Sequence, residues 1–115
     1  MKIIVSGTGI AGMSAALAAA NAGHDVTLFG HLASMPPAGG IQLAPNGWQA
    51  LKQLGLFDAA IKRATPLDHI IVRDLSSGAT LTRLELANCY ASIARADLLD
   101  LLKGAIAKHN AITHH

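Results

Sequence analysis

The chain has 115 residues, enough for one ordinary domain and too few for two. Hydrophobic residues make up 51% of it and charged residues only 14%, which excludes a disordered segment or a solvated charged helix. The formal net charge is +2, the basic residues form no run and aromatics are 3%, so we expect neither a nucleic-acid nor a membrane-surface partner. With a single cysteine, Cys89, no intrachain disulfide can form, and a cytoplasmic location is the simplest expectation.

The first thirty residues predict a β-strand, an α-helix and a second strand. Lys2–Ser6 is a short β-branched run of the kind buried on both faces of a sheet. Ile10–Ala22 is an alanine-rich helix, with Gly23 just past its end, and Asp25–Phe29 is the second strand. A right-handed crossover then makes the two strands parallel. The fold class predicted from this unit is α/β.

The middle of the chain alternates loop and helix signals. The stretch Gly30–Gly40 is rich in glycine and proline and predicts an irregular loop that a ligand could occupy. Ile41–Leu43 reads as extended. A helix is predicted from Pro45 to its end at Gly55, and a further helical turn over Phe57–Arg63.

The second half predicts a hairpin, a long helix and one more strand. Thr65–Pro66 is interpreted as a break, after which His69–Asp74 and Ala79–Leu86 form an antiparallel hairpin around a Ser-Ser-Gly turn. Arg95–Lys108 has a broad apolar face typical of a helix, and Ala111–Thr113 predicts a final strand. The apolar start of the chain also resembles a secretion signal or a spanning helix, but its glycine spacing argues against both.

A glycine-rich turn follows the first strand. Gly7 permits the tight turn, Gly9 lets a pyrophosphate approach the backbone, and Gly12 lets the helix lie close to the strand. Phosphates would then contact the free N–H groups at the helix N-terminus. The strand before the turn, the helix after it and the second strand supply the context that a Rossmann-like dinucleotide-binding unit requires; a glycine turn that merely packs is the alternative.

The second half of that fingerprint is missing. An Asp or Glu is expected at the end of the second strand to accept hydrogen bonds from the adenosine ribose, and Gly30 stands there. The next residue, His31, could instead suit a 2′-phosphate, so an NADP-binding module is a further hypothesis. The alternative is that binding of the ribose is weakened, or that backbone groups and water make the hydrogen bonds to it.

Four segments resemble the N-terminal region of FAD-dependent aromatic-ring hydroxylases, flavoprotein monooxygenases of the salicylate and para-hydroxybenzoate hydroxylase type. The resemblance covers essentially the whole chain. The segments are Ile3–Leu17, Ala22–Phe29, Gly39–Gly47 followed by Leu51–Leu56, and Ser92–Leu99.

The resemblance implies a FAD cofactor, NAD(P)H as reductant, O2, and a small phenolic substrate. It also implies that Arg95 reaches the flavin side of FAD, and that His31 takes the place of a basic residue beside the ribose-binding acid. A guanidinium suits phosphate or ribityl oxygens for its own chemical reasons. The residues expected to bind the cofactor are Gly7, Gly9, Ile10, Ala11, Gly12, His31 and Arg95.

Relative to that family the chain is incomplete. Residues 1–115 are interpreted as the N-terminal part of a FAD-binding domain, and 69–86 as a hairpin of a mostly absent substrate domain. The alternative is a catalytically inactive truncated remnant, or a nucleotide-binding or interaction module without FAD that self-associates through an exposed sheet edge. His109, His114 and His115 predict a flexible terminus and no metal site.

Overall fold

The computed structural model describes residues 1–31, 38–86 and 89–115, so most of the loop predicted over Gly30–Gly40 lies outside the described residues. Four helices and eight strands are formed within this part of the chain. In chain order they are β1 (Lys2–Ser6), α1 (Ile10–Asn21), β2 (Asp25–Phe29), β3 (Gly40–Leu43), α2 (Pro45–Gln53), α3 (Phe57–Ile61), β4 (Thr65–Pro66), β5 (His69–Arg73), β6 (Thr80–Glu85), β7 (Ala91–Ala94), α4 (Arg95–Lys108) and β8 (Ile112–His114).

A small parallel sheet carries the N-terminal unit. Its strand order is β1-β2-β8, with Ile3 opposite Val26 and Val26 opposite Ile112. Helix α1 connects β1 to β2, and α4 leads into β8 and packs beside α1. The predicted parallel βαβ unit, the α/β class and the final strand are confirmed. Gly23 follows α1 with φ +87°, a conformation that favours glycine.

One feature of β1 was predicted wrongly. The strand is not buried on both faces: Ile3 and Val5 are half-buried, but Lys2, Ile4 and Ser6 are exposed, with Ile4 at 73%. The reason is that α1 packs on one face of the sheet and no described element packs on the other. β1 is also an edge of the sheet in the described part of the chain.

A second sheet, antiparallel, has the order β3-β7-β4. Thr65–Pro66, predicted as a break, instead forms the two-residue strand β4, which pairs with β7 at Ser92 and Ala91. Proline is compatible with this position because β4 is an edge strand. The sequence did not predict β7, since its small residues carry little strand signal.

The core lies where α1 and α4 meet the parallel sheet, and it extends under β7 to α2. Trp48 is buried and packs edge-on against Phe57 with ring centroids 5.4 Å apart. The largest fully buried side chains are Met13, Leu28, Ile93 and Leu102. None of the helices in the described residues is both long and apolar enough to cross a bilayer.

The predicted hairpin is formed by β5 and β6, with a register shift between Val72 and Arg73. Its turn is held by Asp74, whose carboxylate accepts hydrogen bonds from the backbone and hydroxyl groups of Ser76 and Ser77. These bonds favour the charged form and hold the pKa of Asp74 well below its usual value. The hairpin projects outward, and the Cα radius of gyration is 17.0 Å, compared with about 13 Å for a compact domain of this length.

Replacing Leu102 tests the placement of the core. Leu102→Ala leaves a cavity in the core beside α4, so we expect it to lower the free energy of unfolding by about 2–5 kcal/mol in urea denaturation. The control is Leu75→Ala at the fully exposed hairpin tip, with an expected change within about 0.5 kcal/mol. Equal effects of the two substitutions would contradict this core.

Candidate dinucleotide-binding site

The chain leaves β1 through a turn that needs glycine. Gly7 has φ +113°, and its N–H donates a hydrogen bond of 2.7 Å to the carbonyl of Phe29 at the end of β2. This bond holds the turn at the carboxyl end of the two parallel strands. Gly9 follows as the N-cap of α1 in an extended conformation, with no side-chain cap.

Gly12 is fixed by contact with the turn. A Cβ on Gly12 would lie 1.9 Å from the carbonyl oxygen of Gly7 and 2.8 Å from its carbonyl carbon. Both obstacles are backbone atoms, so no rotamer change could relieve the clash. The first turn of α1 therefore approaches β1 only because residue 12 lacks a side chain.

The space above the turn is open. A Cβ on Gly7 or Gly9 would meet no atom within 4 Å. The first turn of α1 contains no acidic residue, and the N–H groups of its opening residues, including Ile10 and Ala11, have no partner within the helix. This arrangement presents unpaired donors and the positive end of the helix dipole to an approaching anion.

Gly30, at the position expected for the ribose-binding acid, has φ +146°. A Cβ there would lie 3.0–3.2 Å from atoms of Thr8, so a glutamate would be strained and crowded. The Thr8 hydroxyl in turn donates to the carbonyl of His31, which ties the glycine turn to the end of β2.

The C-terminal residues also reach this end of β2. The Gly30 N–H donates to the carbonyl oxygen of His115 at 3.0 Å, and His114 Nε2 donates to the Gly30 carbonyl at 2.7 Å. The His115 ring stacks on Phe29, with centroids 5.4 Å apart. Sequence reasoning missed the contacts of Thr8, His114 and His115. The predicted strand before His114 was the one available signal for the last two.

The surroundings of the glycine turn are poor in carboxylates. Asp25 is the only acidic residue before Asp58 in the sequence, and it lies opposite Lys2 at the amino end of β2, away from the turn. Acidic side chains from the first half of the sequence therefore add no negative charge at the turn. Within the described residues no cluster of three or more His, Cys, Asp or Glu side chains could hold a metal ion.

Arg95 is the first residue of α4 and directly follows β7 of the antiparallel sheet. Its N–H donates to the Gly39 carbonyl at 3.0 Å, and the neighbouring pair Gly40–Ala94 joins β3 to β7. The side chain is exposed, and its guanidinium makes no hydrogen bond or ion pair to any residue of the ranges 1–31, 38–86 and 89–115. Arg95 is thus fixed beside the start of β3, while the glycine turn and His31 form a separate group at the parallel sheet.

A parallel βαβ unit with this glycine turn defines a dinucleotide-binding domain. Residues 2–72 match the family model described as glucose inhibited division protein A. The chain belongs to this FAD-binding family.

Curated relatives confirm the resemblance to flavoprotein monooxygenases. The chain is 40% identical over 123 residues to a 3-amino-4-hydroxybenzoate 2-monooxygenase of Streptomyces platensis. The match covers 96% of this chain and 31% of that protein. It is 34% identical over 115 residues to a 3-hydroxybenzoate 6-hydroxylase of Polaromonas naphthalenivorans, covering 91% of this chain and 29% of the relative. The chain thus spans about a third of the length of these relatives.

Solved structures agree on the fold. Klebsiella pneumoniae HpxO, complexed with FAD and uric acid, matches this chain with a TM-score of 0.78 and 28% identity. The match covers 99% of this chain and 30% of the HpxO chain. The p-nitrophenol 4-monooxygenase of Pseudomonas putida has a TM-score of 0.83 over 98% of this chain and 31% of its own; at 20% identity it supports the fold alone.

Two glycine substitutions test the contact at the start of α1. Gly12→Ala forces a methyl group onto the Gly7 carbonyl, so we expect the free energy of unfolding to fall by about 3 kcal/mol or more. Gly104→Ala places the same methyl group in open space within α4 and is expected to stabilise the chain by about 0.5–1 kcal/mol. Thermal and urea unfolding measure both. Equal tolerance of the two substitutions would contradict the close approach of α1.

Proposed function

We propose that this chain is the FAD-binding portion of a flavin-dependent monooxygenase and that its glycine turn receives the pyrophosphate of FAD. The observation that carries this proposal is the contrast between two glycines of the turn, one crowded by backbone atoms and one facing open space. Gly12 has no room for a side chain, whereas a Cβ on Gly9 would meet nothing within 4 Å. The turn is thus packed tightly on the protein side and left free on the side where a ligand would lie.

The proposed contacts at the turn are made by the main chain. Gly7, Gly9, Ile10, Ala11 and Gly12 have only backbone groups or apolar side chains to offer, so their N–H groups would donate to the phosphate oxygens. Helix α1, with 12 residues, is long enough to present a full dipole at its N-terminus. No carboxylate in its first turn opposes the phosphate charge.

His31 is proposed to contact the adenosine ribose region. Its carbonyl is held by Thr8, which keeps it directly after the end of β2. The strain at Gly30 explains why a carboxylate would not be accommodated there without a backbone change. An imidazole can donate to ribose oxygens when neutral and can also pair with a 2′-phosphate when protonated, so NADP is the alternative ligand at this end.

Arg95 is proposed to bind the flavin side of FAD from the start of α4. Its exposed guanidinium has no partner in the described chain, and its backbone N–H is bonded to Gly39, directly before β3; the family resemblance implies that β3 runs past the isoalloxazine ring. When bound, FAD would supply the redox chemistry of aromatic hydroxylation with O2, and NAD(P)H is proposed as the reductant. The chain's own residues would bind and orient the cofactor.

A small aromatic substrate is proposed from the relatives. Their names specify 3-amino-4-hydroxybenzoate, 3-hydroxybenzoate and urate, which are small ring compounds with polar substituents. The hairpin 69–86 is proposed to belong to a substrate domain of which this chain holds only the first piece. Its exposed apolar side chains, Leu81 at 65% and Leu84 at 53%, support a further partner for this hairpin. A cytoplasmic location, without membrane or nucleic-acid partners, completes the proposal.

An interaction module is the second candidate. All six residues of β6 are exposed and its outer edge is unpaired in the described chain, which is the geometry of strand-to-strand self-association. In this case the protein would bind no flavin. Size-exclusion chromatography combined with flavin absorbance separates the two candidates, because a colourless self-associating protein fits only the second.

A charged cap at Gly9 tests pyrophosphate binding without disturbing the fold. Gly9 is extended and uncrowded, and aspartate is a favoured N-cap, so we expect Gly9→Asp to unfold at the same temperature as the parent or above it. Its carboxylate would repel the phosphates and lower FAD affinity by about tenfold or more, which is about 1.4 kcal/mol. Flavin fluorescence titration measures the affinity.

The matched control is Gly9→Asn, which has nearly the same size and capping ability without the charge. It should weaken FAD binding less than Gly9→Asp does. A parent chain that binds neither FAD nor ADP, or a Gly9→Asp chain with unchanged affinity, would contradict the proposed site.

Arg95 is tested separately from the turn. Arg95→Ala removes one exposed cation and is expected to lower FAD affinity by about tenfold while leaving ADP affinity unchanged, because its proposed contact is on the flavin side. Arg73→Ala, in the distant hairpin, is the control and should alter neither affinity. An equal loss for ADP and FAD in Arg95→Ala would contradict the assignment to the flavin end.

A further inference from the structure

A pocket of about 230 Å³ lies between helices α2 and α3 and the base of the hairpin. Two aromatic residues, Trp48 of α2 and Phe57 of α3, form part of its wall, and it is here called the aromatic pocket. Most of the lining is apolar. Its polar members are Asp68, Cys89 and Tyr90. None of the residues expected to bind the cofactor lines this pocket, so it is a separate site.

The aromatic pocket continues the core of the antiparallel sheet toward the surface. Pro66 and Ala91, which are partners in the register of β4 and β7, both line it. Side chains alternate along a strand, so Ala91 shares its side of β7 with Ile93, which is almost completely buried. At the rim, Ile61 of α3 is 51% exposed. The pocket therefore has a buried apolar floor and an apolar opening.

The size and the lining of the aromatic pocket favour a single aromatic ring. An apolar cavity of about 150 Å³ is large enough to bind benzene, whereas pockets for larger ligands enclose about 300–1,000 Å³. The rings of Trp48 and Phe57 are edge-to-face, with centroids 5.4 Å apart. A third ring can extend this arrangement, because aromatic pairs prefer edge-to-face or offset contacts. One ring with a small substituent fits, and a flavin does not.

The charge at the pocket selects the substituent. Asp68 lines the pocket, its side chain is 88% exposed, and its Oδ1 lies 2.5 Å from Nδ1 of His69. This contact lowers the pKa of Asp68, so the carboxylate is charged at neutral pH. A carboxylate accepts several hydrogen bonds and repels a second carboxylate. A ring with a hydroxyl group is therefore favoured over a ring with a carboxylate.

We propose that the aromatic pocket binds a single-ring phenol that carries no carboxylate. The ring packs against Trp48 and Phe57, and the hydroxyl group donates a hydrogen bond to Asp68. This ligand differs from the hydroxybenzoates in the names of the relatives, which would bring a second negative charge to Asp68. The inference goes beyond the proposed function, because the site requires neither FAD nor the glycine turn.

The experiment uses the isolated chain and two probes with the same ring, 4-fluorophenol and 4-fluorobenzoate. Trp48 is the only tryptophan of the chain, so its fluorescence reports binding in this pocket, and the fluorine NMR signal of each probe measures the affinity independently. We expect a dissociation constant of about 1 mM for 4-fluorophenol. The affinity for 4-fluorobenzoate should be lower by about fivefold or more, because two carboxylates would lie close together.

Filling the pocket tests its location. Ala64 is half-buried and lines the pocket, so Ala64→Phe places a ring where the ligand would lie and should weaken 4-fluorophenol binding by about tenfold or more. Ala59→Phe is the matched control. Ala59 is exposed on α3 and does not line the pocket, so this substitution should leave the affinity unchanged.

Removing the charge tests the selectivity, and it remains informative if Ala64→Phe does not fold, because Asp68 is exposed. Asp68→Asn should raise the affinity for 4-fluorobenzoate by about fivefold and abolish the preference for 4-fluorophenol. Asp100→Asn, at an exposed position of α4 away from the pocket, removes the same charge and should change neither affinity.

Three results would overturn the proposal: no response of Trp48 to 4-fluorophenol, equal affinities of the parent chain for the two probes, or unchanged binding in a folded Ala64→Phe chain. A parent chain that dimerises, and whose Trp48 spectrum changes on dilution, would also overturn it, because a second copy would then fill the pocket. FAD titration is a separate measurement. A chain that binds 4-fluorophenol but no FAD would reject the proposed function and retain the aromatic pocket.

Discussion

The contact between Gly12 and the carbonyl of Gly7 sets the geometry on which the rest of the structure depends. A Cβ at residue 12 would lie 1.9 Å from that oxygen, so the absence of one side chain decides how closely α1 approaches the sheet. This approach accompanies the burial of Met13 and Leu17 on α1, and α4, with its buried Leu102, packs beside α1. The same contact directs the N-terminus of α1 into open space above Gly9. Packing and ligand access therefore have one cause.

Local signals predicted most of the secondary structure because each signal depends only on residues that are close together in the sequence. The bounds of α4 agree with the prediction over Arg95–Lys108, and Pro45 begins α2 as expected. The prediction was wrong where burial or pairing depends on distant segments. An apolar strand such as β1 is buried on both faces only if something covers both, and the sequence of the strand does not contain its neighbours. β4 and β7 escaped prediction for a similar reason, since β4 is stabilised by β7, and β7 by β3 and β4, and neither has a strong propensity.

One part of the candidate site could likewise be predicted from local sequence, and another part could not. The glycine turn could be predicted because its spacing reflects backbone constraints that act within six residues. The end of β2 could not, because His114 and His115 arrive there through pairing of β8 with β2 across more than eighty residues of sequence. The sequence showed that an acid was missing at residue 30. The structure adds a reason, since φ +146° and the nearby Thr8 side chain leave glycine as the residue that fits.

The exposed apolar surface of the chain follows from its composition and its topology together. Half of the residues are hydrophobic, yet three strands with helices on one face and a projecting hairpin cannot enclose them all. In the described part of the chain, exposed large hydrophobic side chains lie at the face of the parallel sheet away from α1, at Ile61 of α3, and most of all on the hairpin, which contributes Ile71, Val72, Leu75, Leu81 and Leu84. Apolar side chains exposed singly are normal on a monomer, whereas a contiguous exposed patch of several hundred Å² marks an interaction surface. Ile4 and Phe29 belong to the parallel sheet, whereas Leu81 and Leu84 belong to the hairpin, so these exposed side chains lie on two separate sheets.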